Sequence, residues 1–540
     1  MPRNSVIAAA AFIALIAGPL AAQVTFERIL RADEEPGNWL TYNRTYSSQH
    51  HSPLDQINRE NVADLELKWV FQARSLHKFE MTPLVVDDVV YVVQMPNDVV
   101  ALDAVTGRKF WQYTHAMDGT VNVCCGRINR GLAILGDTLY MGTIDGKLVA
   151  LDAKTGAVVF SRQIVDPTGG YSLTHAPLVL KDKLIVGSAG GEYGIRGFIV
   201  ALDPRNGDEI WRFHTIPGPG EPGHETWSGD SWERGGGSIW LTGSYDPELN
   251  LTYWGVGNPA PDWNGDVRLG DNLYTDSVVA LDADTGKLKW HFQFTPHDEW
   301  DWDAVQIPVL VDREWEGEQR KLMLWANRNG FYYVLDRTTG EFLHGKNFVE
   351  VTWAKGLDEN GRPIKIPEAS PTREGVRVSP AVQGGTNWYS PAYSEKTGLF
   401  YVSAWEYSSV YHKGDPTYTR GNRYPGSVPH GVWPNTMKDS EEQQGYGAIR
   451  ALSPTTGDLE WEFRMTGIGE SGILSTAGDM LVTGSREGYM LVLDSFTGKN
   501  ILTINLGGIV AASPITFTAG GKQRIAVSSG NAMFVFGLRE

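Results

Sequence analysis

The segment Thr295-Pro-His-Asp-Glu-Trp-Asp-Trp-Asp303 carries two carboxylates, Asp301 and Asp303, with Trp302 between them. In an extended strand, residues two apart point to the same face, so both carboxylates would lie side by side. Like charges held this close raise the pKa of one carboxyl group unless a positive charge lies between them. The pattern therefore predicts either a solvated acidic turn or a site that holds a cation.

Two further oxygen-bearing side chains lie in unusual local sequences. Glu192 lies in a glycine-rich run over residues 187–194, and Asn258 directly precedes Pro259. Together with the two aspartates they make four oxygen donors without a Cys or His cluster. Hard cations prefer oxygen ligands, so this set favours Ca²⁺ or a harder, more highly charged ion over Zn²⁺ or Cu²⁺.

Composition and the N-terminus restrict the class of protein. The formal net charge of −17 over 540 residues argues against nucleic acid or an anionic membrane surface as a partner. Arg3, an apolar run over residues 6–17 and small residues up to Ala22 predict a secretory signal peptide over residues 1–22, with an uncleaved anchor as the alternative. No later stretch is apolar enough to span a bilayer. Residues 23–540 are predicted to form one domain.

The chain has only two cysteines, the neighbours Cys124 and Cys125. This excludes a disulfide scaffold and a Cys-x-x-Cys-His haem site within the sequence. Two interpretations stay open for the pair. The cysteines are small buried hydrophobic residues, or they form a strained disulfide between neighbours that acts as a rigid, ligand-facing element.

A repeat runs along most of the chain. Most copies have an apolar strand, an Asp-x-x-Thr-Gly turn and a second strand that often carries a tryptophan. Copies end at Gly107, Gly156, Gly207, Gly286, Gly340, Gly457 and Gly498, with a weaker one at Gly398. Such units, about four strands each, cannot bury both faces alone and stack into a ring. The sequence therefore predicts an all-β protein, an eight-bladed β-propeller with tryptophan-docking repeats, in which the N-terminal segment closes the ring.

Several rarer motifs follow one another in the order of a known family. They are Cys124-Cys125, Asn129-Arg-Gly131, Gly191-Glu-Tyr-Gly194, Gly235-Gly-Gly with Trp240, Gly255-Val-Gly-Asn-Pro-Ala-Pro261, Pro296-His-Asp-Glu-Trp-Asp301 and Asn327-Arg-Asn-Gly330. With the repeats, they make the chain resemble the pyrroloquinoline quinone (PQQ)-dependent alcohol dehydrogenases of the methanol and ethanol dehydrogenase family, over essentially all of residues 23–540.

The resemblance implies a set of cofactor and metal contacts. PQQ would lie between a Cys124–Cys125 disulfide and Trp240, with Arg130 and Arg328 facing its carboxylates. Further implied cofactor contacts are Glu80, Thr174, Gly190, Gly191, Ser238 and Asn387. The implied metal ligands are Glu192, Asn258 and Asp301. Asp301 would also take the hydroxyl proton of the alcohol as catalytic base, while Arg328 steadies charge on the reduced cofactor.

Asp303 distinguishes two kinds of metal site. In calcium-type relatives the corresponding residue is small, whereas in relatives of the lanthanide-dependent type it is an aspartate. Three carboxylates and one amide also match the charge of a trivalent ion better than that of Ca²⁺. The resemblance therefore favours a lanthanide ion as the metal, with Ca²⁺ as the alternative.

Substrate, partner and location are also expectations from the resemblance. Trp263 is expected to cover a pocket for a small primary alcohol, and the loop from Trp405 to Trp433, with Tyr407, Tyr411, Tyr418 and Tyr424, to line its mouth. A separate periplasmic c-type cytochrome would reoxidise PQQ, because the chain ends soon after the last repeat. A homodimer stays open. The alternatives are a calcium-dependent dehydrogenase of polyols or sugars, and a non-catalytic propeller scaffold.

Overall fold

The computed structural model describes residues 23–117, 121–427 and 445–539. The predicted signal peptide and Trp433 therefore lie outside the described residues. None of the helices in the described ranges has the length and apolar character needed to cross a membrane.

Each sequence repeat forms a β-hairpin, which in most copies is closed by an aspartate and a glycine. In one copy, Lys147–Asp152 pairs antiparallel with Val158–Gln163. Asp152 Oδ1 accepts hydrogen bonds from the backbone N–H groups of Lys154 (3.1 Å) and Thr155 (2.8 Å). Gly156 has φ +73°, a conformation that favours glycine. The Asp-x-x-Thr-Gly pattern is thus a turn whose chemistry matches its geometry.

Eight antiparallel sheets, here called blades 1 to 8, follow along the chain. The strands of blades 1 to 4, in chain order, are Leu84–Val86, Val89–Gln94, Asp98–Asp103 and Lys109–Tyr113; Ala133–Leu135, Thr138–Gly142, Lys147–Asp152 and Val158–Gln163; Leu178–Leu180, Lys183–Gly187, Phe198–Leu202 and Glu209–His214; and Ser244–Asp246, Leu251–Gly255, Ser277–Asp282 and Leu288–Gln293. Those of blades 5 to 7 are Val309–Trp315, Glu318–Ala326, Phe331–Asp336 and Phe342–Asn347; Ala392–Ser394, Leu399–Glu406, Tyr446–Leu452 and Leu459–Met465; and Leu474–Thr476, Met480–Gly484, Tyr489–Asp494 and Asn500–Asn505, to which His51–Ser52 adds a parallel strand.

Blade 8 closes the ring with both ends of the domain. Its strands Ile515–Ala519, Lys522–Ser529 and Ala532–Leu538 are completed by Leu65–Gln72, which pairs with Ala532–Leu538. The predicted eight-bladed propeller, closed by the N-terminal segment, is confirmed.

Short elements complete the described structure. Two small sheets pair Ala354–Leu357 with Pro363–Lys365, and Val376–Val378 with Ser409–Tyr411. The one-turn helices are Phe26–Leu30 (α-helical) and, as 3₁₀ turns, Ala32–Glu34, Val62–Asp64, Pro167–Gly169, Gly191–Tyr193, His224–Thr226, Ser231–Arg234, Gly265–Val267 and Pro367–Ala369.

The repeat ending at Gly398 has a different place from the others. It forms the turn between the first and second strands of blade 6, whereas the other repeats join third and fourth strands. Blade 6 already contains the repeat that ends at Gly457. The eighth blade comes instead from residues 515–538, whose turns lack the Asp-x-x-Thr-Gly pattern.

Tryptophans of the fourth strands lock neighbouring blades together. The Trp111 indole N–H of blade 1 donates to the carbonyl of Ala153 in blade 2 (3.1 Å), and its ring lies where a Cβ on Gly156 would stand. The Trp211 ring rests in the same way on Gly286, and its N–H donates to Ala283 O (3.3 Å). The glycine of such a turn thus has two roles. It closes the hairpin of its own blade, and it leaves room for the tryptophan ring of the preceding blade.

The order of the strands decides where connections emerge. The first strands are buried and the fourth strands largely exposed, so the first strands line the centre. Because neighbouring strands run antiparallel, the loops from second to third strand and the connectors from fourth strand to the next blade leave at one face. The repeat turns leave at the opposite face.

Candidate active site

The predicted site residues all lie in the two kinds of connection that share one face. Connectors between blades carry Glu80, Cys124, Cys125, Arg130, Thr174, Ser238, Trp240, Asp301, Asp303 and Asn387, and loops between second and third strands carry Gly190, Gly191, Glu192, Asn258, Trp263 and Arg328. Many of them stand only a few residues before the innermost strand of a blade. The fold therefore brings residues distant in sequence to one face near the centre.

The segment around Asp301 forms a turn, whereas the sequence analysis assumed an extended strand. Asp301 has φ +63°. The Asp298 carboxylate accepts hydrogen bonds from the backbone N–H groups of Trp300 (3.2 Å) and Trp302 (3.1 Å) and holds the turn. The Trp300 and Trp302 rings stack with centroids 4.9 Å apart. These contacts, and not the alternation of side chains along an extended strand, place both carboxylates near the guanidinium of Arg328.

Asp303 joins Asn258 to Arg328. Its Oδ1 accepts the backbone N–H of Asn258 (2.9 Å), and its Oδ2 lies 2.6 Å from Arg328 Nη1. Arg328 Nη2 donates to Val382 O (2.6 Å) and lies 3.9 Å from Asp301 Oδ2. Burial alone would lower the pKa of Arg328, but Asp303 and Asp301 raise it. The guanidinium therefore remains a fixed positive charge beside the predicted base.

Glu192 reaches this cluster from the neighbouring blade. A Cβ on Gly191 would stand 3.2 Å from Ser238 Oγ and 3.7 Å from Asn258 Oδ1. The Glu192 carboxylate also has an oxygen within 4.8 Å of the Sγ atoms of Cys124 and Cys125. Burial, and then the Asp303 carboxylate, raise the pKa of Glu192, so Glu192 lies near the other predicted metal ligands as well as next to the cysteine pair.

The two cysteines are free thiols in this structure, with Cys124 half-buried and Cys125 exposed. The implied disulfide is therefore not present here. The neighbouring Cys125 thiol, and then burial, raise the pKa of Cys124, which lies beside Glu192. The pair is not part of the hydrophobic core, so the two cysteines are not a pair of small buried hydrophobic residues.

A fourth carboxylate, which the sequence analysis did not identify, lies in the same cluster. Asp262 is 1% exposed and its Oδ1 accepts a hydrogen bond from Asn258 Nδ2 (3.0 Å). Burial, followed by repulsion from Glu192, raises its pKa well above the usual range. Burial also raises the pKa of Asp301, which Arg328 opposes and the other carboxylates reinforce. Carboxylates buried near one another in this way are stabilised by a cation among them.

The remaining predicted cofactor contacts gather around Arg130. Its Nη2 lies 3.2 Å from Glu80 Oε2, its backbone N–H donates to Thr174 O (2.9 Å), and its guanidinium lies 4.8 Å from the ring centroids of both Trp240 and Trp388. The side-chain hydrogen bonds of Asn387 are not to Arg130 but to neighbouring residues in the sequence. Its side chain bonds to Gln383 and to the Trp388 N–H within its own connector.

Buried hydrogen-bonding atoms that remain available to a ligand lie at both arginines and at Thr174. Within the described ranges, Arg130 Nε, Arg328 Nε and Thr174 Oγ1 are buried without a hydrogen-bond partner. PQQ carries three carboxylates, which suit guanidinium and hydroxyl donors, and the half-buried Trp240 ring suits a flat cofactor. The residues present therefore fit the cofactor that the resemblance implies.

The predicted substrate-pocket residues divide into two groups. Trp263 is buried, and its backbone N–H donates to Pro425 O (3.0 Å), so the segment over residues 418–427 covers it. Tyr418 and Tyr424 lie in that segment, with ring centroids 5.4 Å apart. Tyr411 does not line a mouth: it is fully buried against Trp302, and its hydroxyl donates to Pro380 O (3.1 Å).

Sequence reasoning missed Asp262 and Trp388, for different reasons. Asp262 was visible only as the residue before Trp263, although its spacing of four from Asn258 was a usable signal. Trp388 directly follows Asn387, but nothing local indicates that its ring meets Arg130 from another blade.

Comparison with known proteins gives matches over nearly the whole chain. The profile of the glucose/ethanol/alcohol dehydrogenase β-propeller domain matches residues 39–363, and that of the outer membrane protein assembly factor BamB matches residues 445–537. The quinoprotein alcohol dehydrogenase PedH of Pseudomonas putida is 39% identical over 543 residues, covering 96% of this chain and 90% of the relative. The lanthanide-dependent methanol dehydrogenase of Methylacidiphilum fumariolicum is 37% identical over 544 residues, covering 95% and 88%.

Solved structures agree with these matches. A europium-containing methanol dehydrogenase superposes with a TM-score of 0.88 at 34% identity, covering 95% of this chain and 100% of the other. The quinohemoprotein alcohol dehydrogenase of Comamonas testosteroni gives a TM-score of 0.89 at 34% identity, covering 95% and 82%.

Proposed function

The chain belongs to the family of PQQ-dependent alcohol dehydrogenases, and from this premise we propose that it oxidises a primary alcohol to the aldehyde at a lanthanide-bound PQQ. The contact that supports the site most is that of Asp303, which bonds the Asn258 backbone and Arg328 at once. It unites the loop of Asn258, the loop of Arg328 and the connector that carries both Asp301 and Asp303.

The residues have separable roles in this proposal. Glu192, Asn258, Asp301 and Asp303 would hold the metal ion, and Arg130, Arg328, Thr174 and Trp240 would hold the cofactor. When bound, the metal–quinone pair supplies a Lewis acid and a hydride acceptor. Asp301 accepts the hydroxyl proton of the alcohol, because a neighbouring cation lowers its raised pKa and keeps it ionised. Arg328 stays charged and is held still by Asp303 and Val382.

The charge of the cluster supports a bound cation. Four carboxylates, Glu192, Asp262, Asp301 and Asp303, stand against two guanidinium groups, that of Arg328 beside Asp301 and Asp303 and that of Arg423 near Glu192 and Asp262. When all four are ionised, their sum with the two guanidinium groups is −2, so the cluster favours a bound cation, and the choice of a lanthanide ion over Ca²⁺ depends on Asp303. A trivalent ion is also the stronger Lewis acid.

Reconstitution of the purified protein with PQQ and either La³⁺ or Ca²⁺ tests the proposal. The assay follows dye-linked oxidation of a panel of primary alcohols, polyols and sugars. We expect turnover of primary alcohols with La³⁺. Turnover of sugars or polyols with Ca²⁺ alone would establish the alternative enzyme, and inactivity with every substrate and both metals would favour a scaffold.

The Asp303→Ala variant tests the choice of metal. It removes one carboxylate and leaves Arg328 and the Asn258 N–H without their present partner. We expect La³⁺-dependent turnover to be lost, measured as kcat at saturating La³⁺. Equal activity of this variant with La³⁺ would remove Asp303 from the ligand set. Asp208→Asn, at an exposed ion pair with Arg162, is the matched control.

The electron acceptor and the location are proposed on chemical grounds. Two-electron reduced PQQ must be reoxidised, and the sequence has no Cys-x-x-Cys-His motif of its own. A separate c-type cytochrome in the periplasm fits this need. Cytochrome reduction by the loaded enzyme and the N-terminal sequence of the secreted protein, expected to begin near Gln23, test these two points. Thiol titration with and without reductant tests the Cys124–Cys125 disulfide.

A further inference from the structure

The side-chain amide of Asn258 has both of its hydrogens occupied. Asn258 Nδ2 donates to Asp262 Oδ1 (3.0 Å) and to Pro259 O (3.3 Å). Asn258 is 2% exposed and Asp262 is 1% exposed, so water does not compete freely for these bonds. The amide oxygen Oδ1 is therefore the atom that is left to face other groups.

The direction of that oxygen matches the proposed metal site. A Cβ on Gly191 would stand 3.7 Å from Asn258 Oδ1, so the oxygen points towards the segment that carries Glu192. If the amide turned over, its NH₂ group would face that segment instead. An NH₂ group cannot bind a cation, and its hydrogens would repel one.

The backbone of Asn258 is held independently of Asp262. Its N–H donates to Asp303 Oδ1 (2.9 Å), and its carbonyl accepts the Gly237 N–H (3.0 Å). A change at Asp262 therefore leaves the loop in place and acts on the orientation of one side chain.

We propose that Asp262 is a positioning residue, which holds the Asn258 amide so that Oδ1, and not Nδ2, is presented to the metal ion. This rests on the metal site of the proposed function. Carboxylates that orient a metal ligand from behind typically change metal affinity by about 10–100-fold when they are mutated. The role needs a hydrogen-bond acceptor at position 262, and it does not need Asp262 to touch the ion.

The test measures metal affinity of the full chain with PQQ, following tryptophan fluorescence during titration with La³⁺ and, separately, Ca²⁺. For Asp262→Ala we expect affinity to fall by about 10–100-fold, with an unchanged thermal midpoint because the backbone contacts remain. For Asp262→Asn we expect most of the affinity to be kept, because the asparagine oxygen can accept the same bond. If Asp262→Asn binds as weakly as Asp262→Ala, charge and not the hydrogen bond is responsible, and the proposal is overturned.

A second pair of variants separates positioning from direct ligation. In Asn258→Asp both terminal atoms are oxygens, so no partner is needed to orient the side chain. On that background, adding Asp262→Ala should leave metal affinity unchanged or raise it through lost repulsion. An equal loss on both backgrounds would make Asp262 a ligand itself. Wild-type protein that binds neither metal would overturn the proposed function, whereas wild-type binding that Asp262→Ala matches would overturn only the positioning role.

Discussion

At the scale of single residues, Arg328 and Asp303 determine how the site is arranged. The guanidinium is bonded by a side chain on one side and by the Val382 carbonyl on the other, so it cannot follow a moving ligand. Asp301 is 3.9 Å away and 22% of its side chain is exposed, which leaves it freer than Asp303. This difference suits a base that must reach a substrate, next to a partner that must stay still.

Replacing Asp301 by asparagine separates the two roles proposed for this residue. The amide keeps an oxygen that can face a metal ion but has no basic carboxylate. We expect kcat for alcohol oxidation to fall by about 10²–10⁴-fold, while the metal affinity measured by titration changes much less. Near-normal turnover of Asp301→Asn would exclude Asp301 as the base, and Asp208→Asn again serves as the control.

Much of this residue set could be predicted from sequence, because the side chains lie in motifs with unusual local composition. Glu192, Asn258 and Asp301 were found in this way, and the structure brings them together. Tyr411 was misplaced because an aromatic residue in a polar loop gives no sign of its depth. Asp262 was passed over because its meaning depends on which way the Asn258 amide turns, which only packing decides.

At the scale of elements, the loop between the second and third strands of blade 4 depends on close backbone approach. An ideal Cβ on Gly257 would stand 2.3 Å from Asp303 Oδ1 and 2.7 Å from Ser238 Oγ. Both atoms belong to connectors between blades. The Gly257 N–H also donates to Ser238 O (2.8 Å), which holds the loop against one of these connectors. Glycine at this position therefore lets three connections meet.

The Gly257→Ala variant should accordingly weaken the metal site without unfolding the blade. Its methyl group must push the Asp303 carboxylate away from the Asn258 N–H. We expect about 10–100-fold weaker La³⁺ binding in the fluorescence titration. Gly467→Ala is a suitable comparison, because its Cβ would meet only the carboxylate end of the exposed Glu487. Equal La³⁺ affinity of the two variants would contradict this account.

At the scale of the whole molecule, the ring depends on contacts that repeat between blades. Seven of the eight blades could be predicted from sequence, because blades 1 to 7 each have a turn of similar chemistry between the third and fourth strands. The assignment of the weak repeat was wrong, since Thr-Gly turns also close hairpins between first and second strands. Blade 8 shows no repeat because the first strand of the ring, Leu65–Gln72, supplies its outer edge and brings its own docking residue, Trp69.

Removing one docking tryptophan tests how much this interlock stabilises the ring. Trp211 is 8% exposed, packs on Gly286 and bonds Ala283 O. We expect Trp211→Ala to lower the free energy of unfolding by about 3–5 kcal/mol, seen as a lower urea midpoint. Phe110→Ala, on the fourth strand of blade 1 and 46% exposed, should change it far less. Similar midpoints for both variants would show that the docking tryptophan adds little.

Buried histidines give the ring a defined dependence on pH. His175 Nε2 accepts the Gly187 N–H (2.8 Å), and Nδ1 lies 2.8 Å from Ala176 O, so the neutral tautomer with a hydrogen on Nδ1 satisfies both contacts. A second proton would set Nε2–H against the Gly187 N–H. Burial accordingly lowers the pKa of His175 from 6.5 to about 4.

The sign of the effect follows from the lowered pKa. Above about pH 6.5 both the folded and the unfolded chain hold His175 neutral, and its contribution to stability is complete. As the pH falls from about 6.5 towards 4, the unfolded chain takes up the proton first, so stability on the order of 3 kcal/mol is lost. The His175→Gln variant offers an oxygen to the Gly187 N–H but does not titrate. Its thermal midpoint should therefore fall less steeply over this range than that of the wild type. His77→Gln, at an exposed position, should follow the wild type, and identical pH profiles for all three proteins would show that His175 titrates alike in both states.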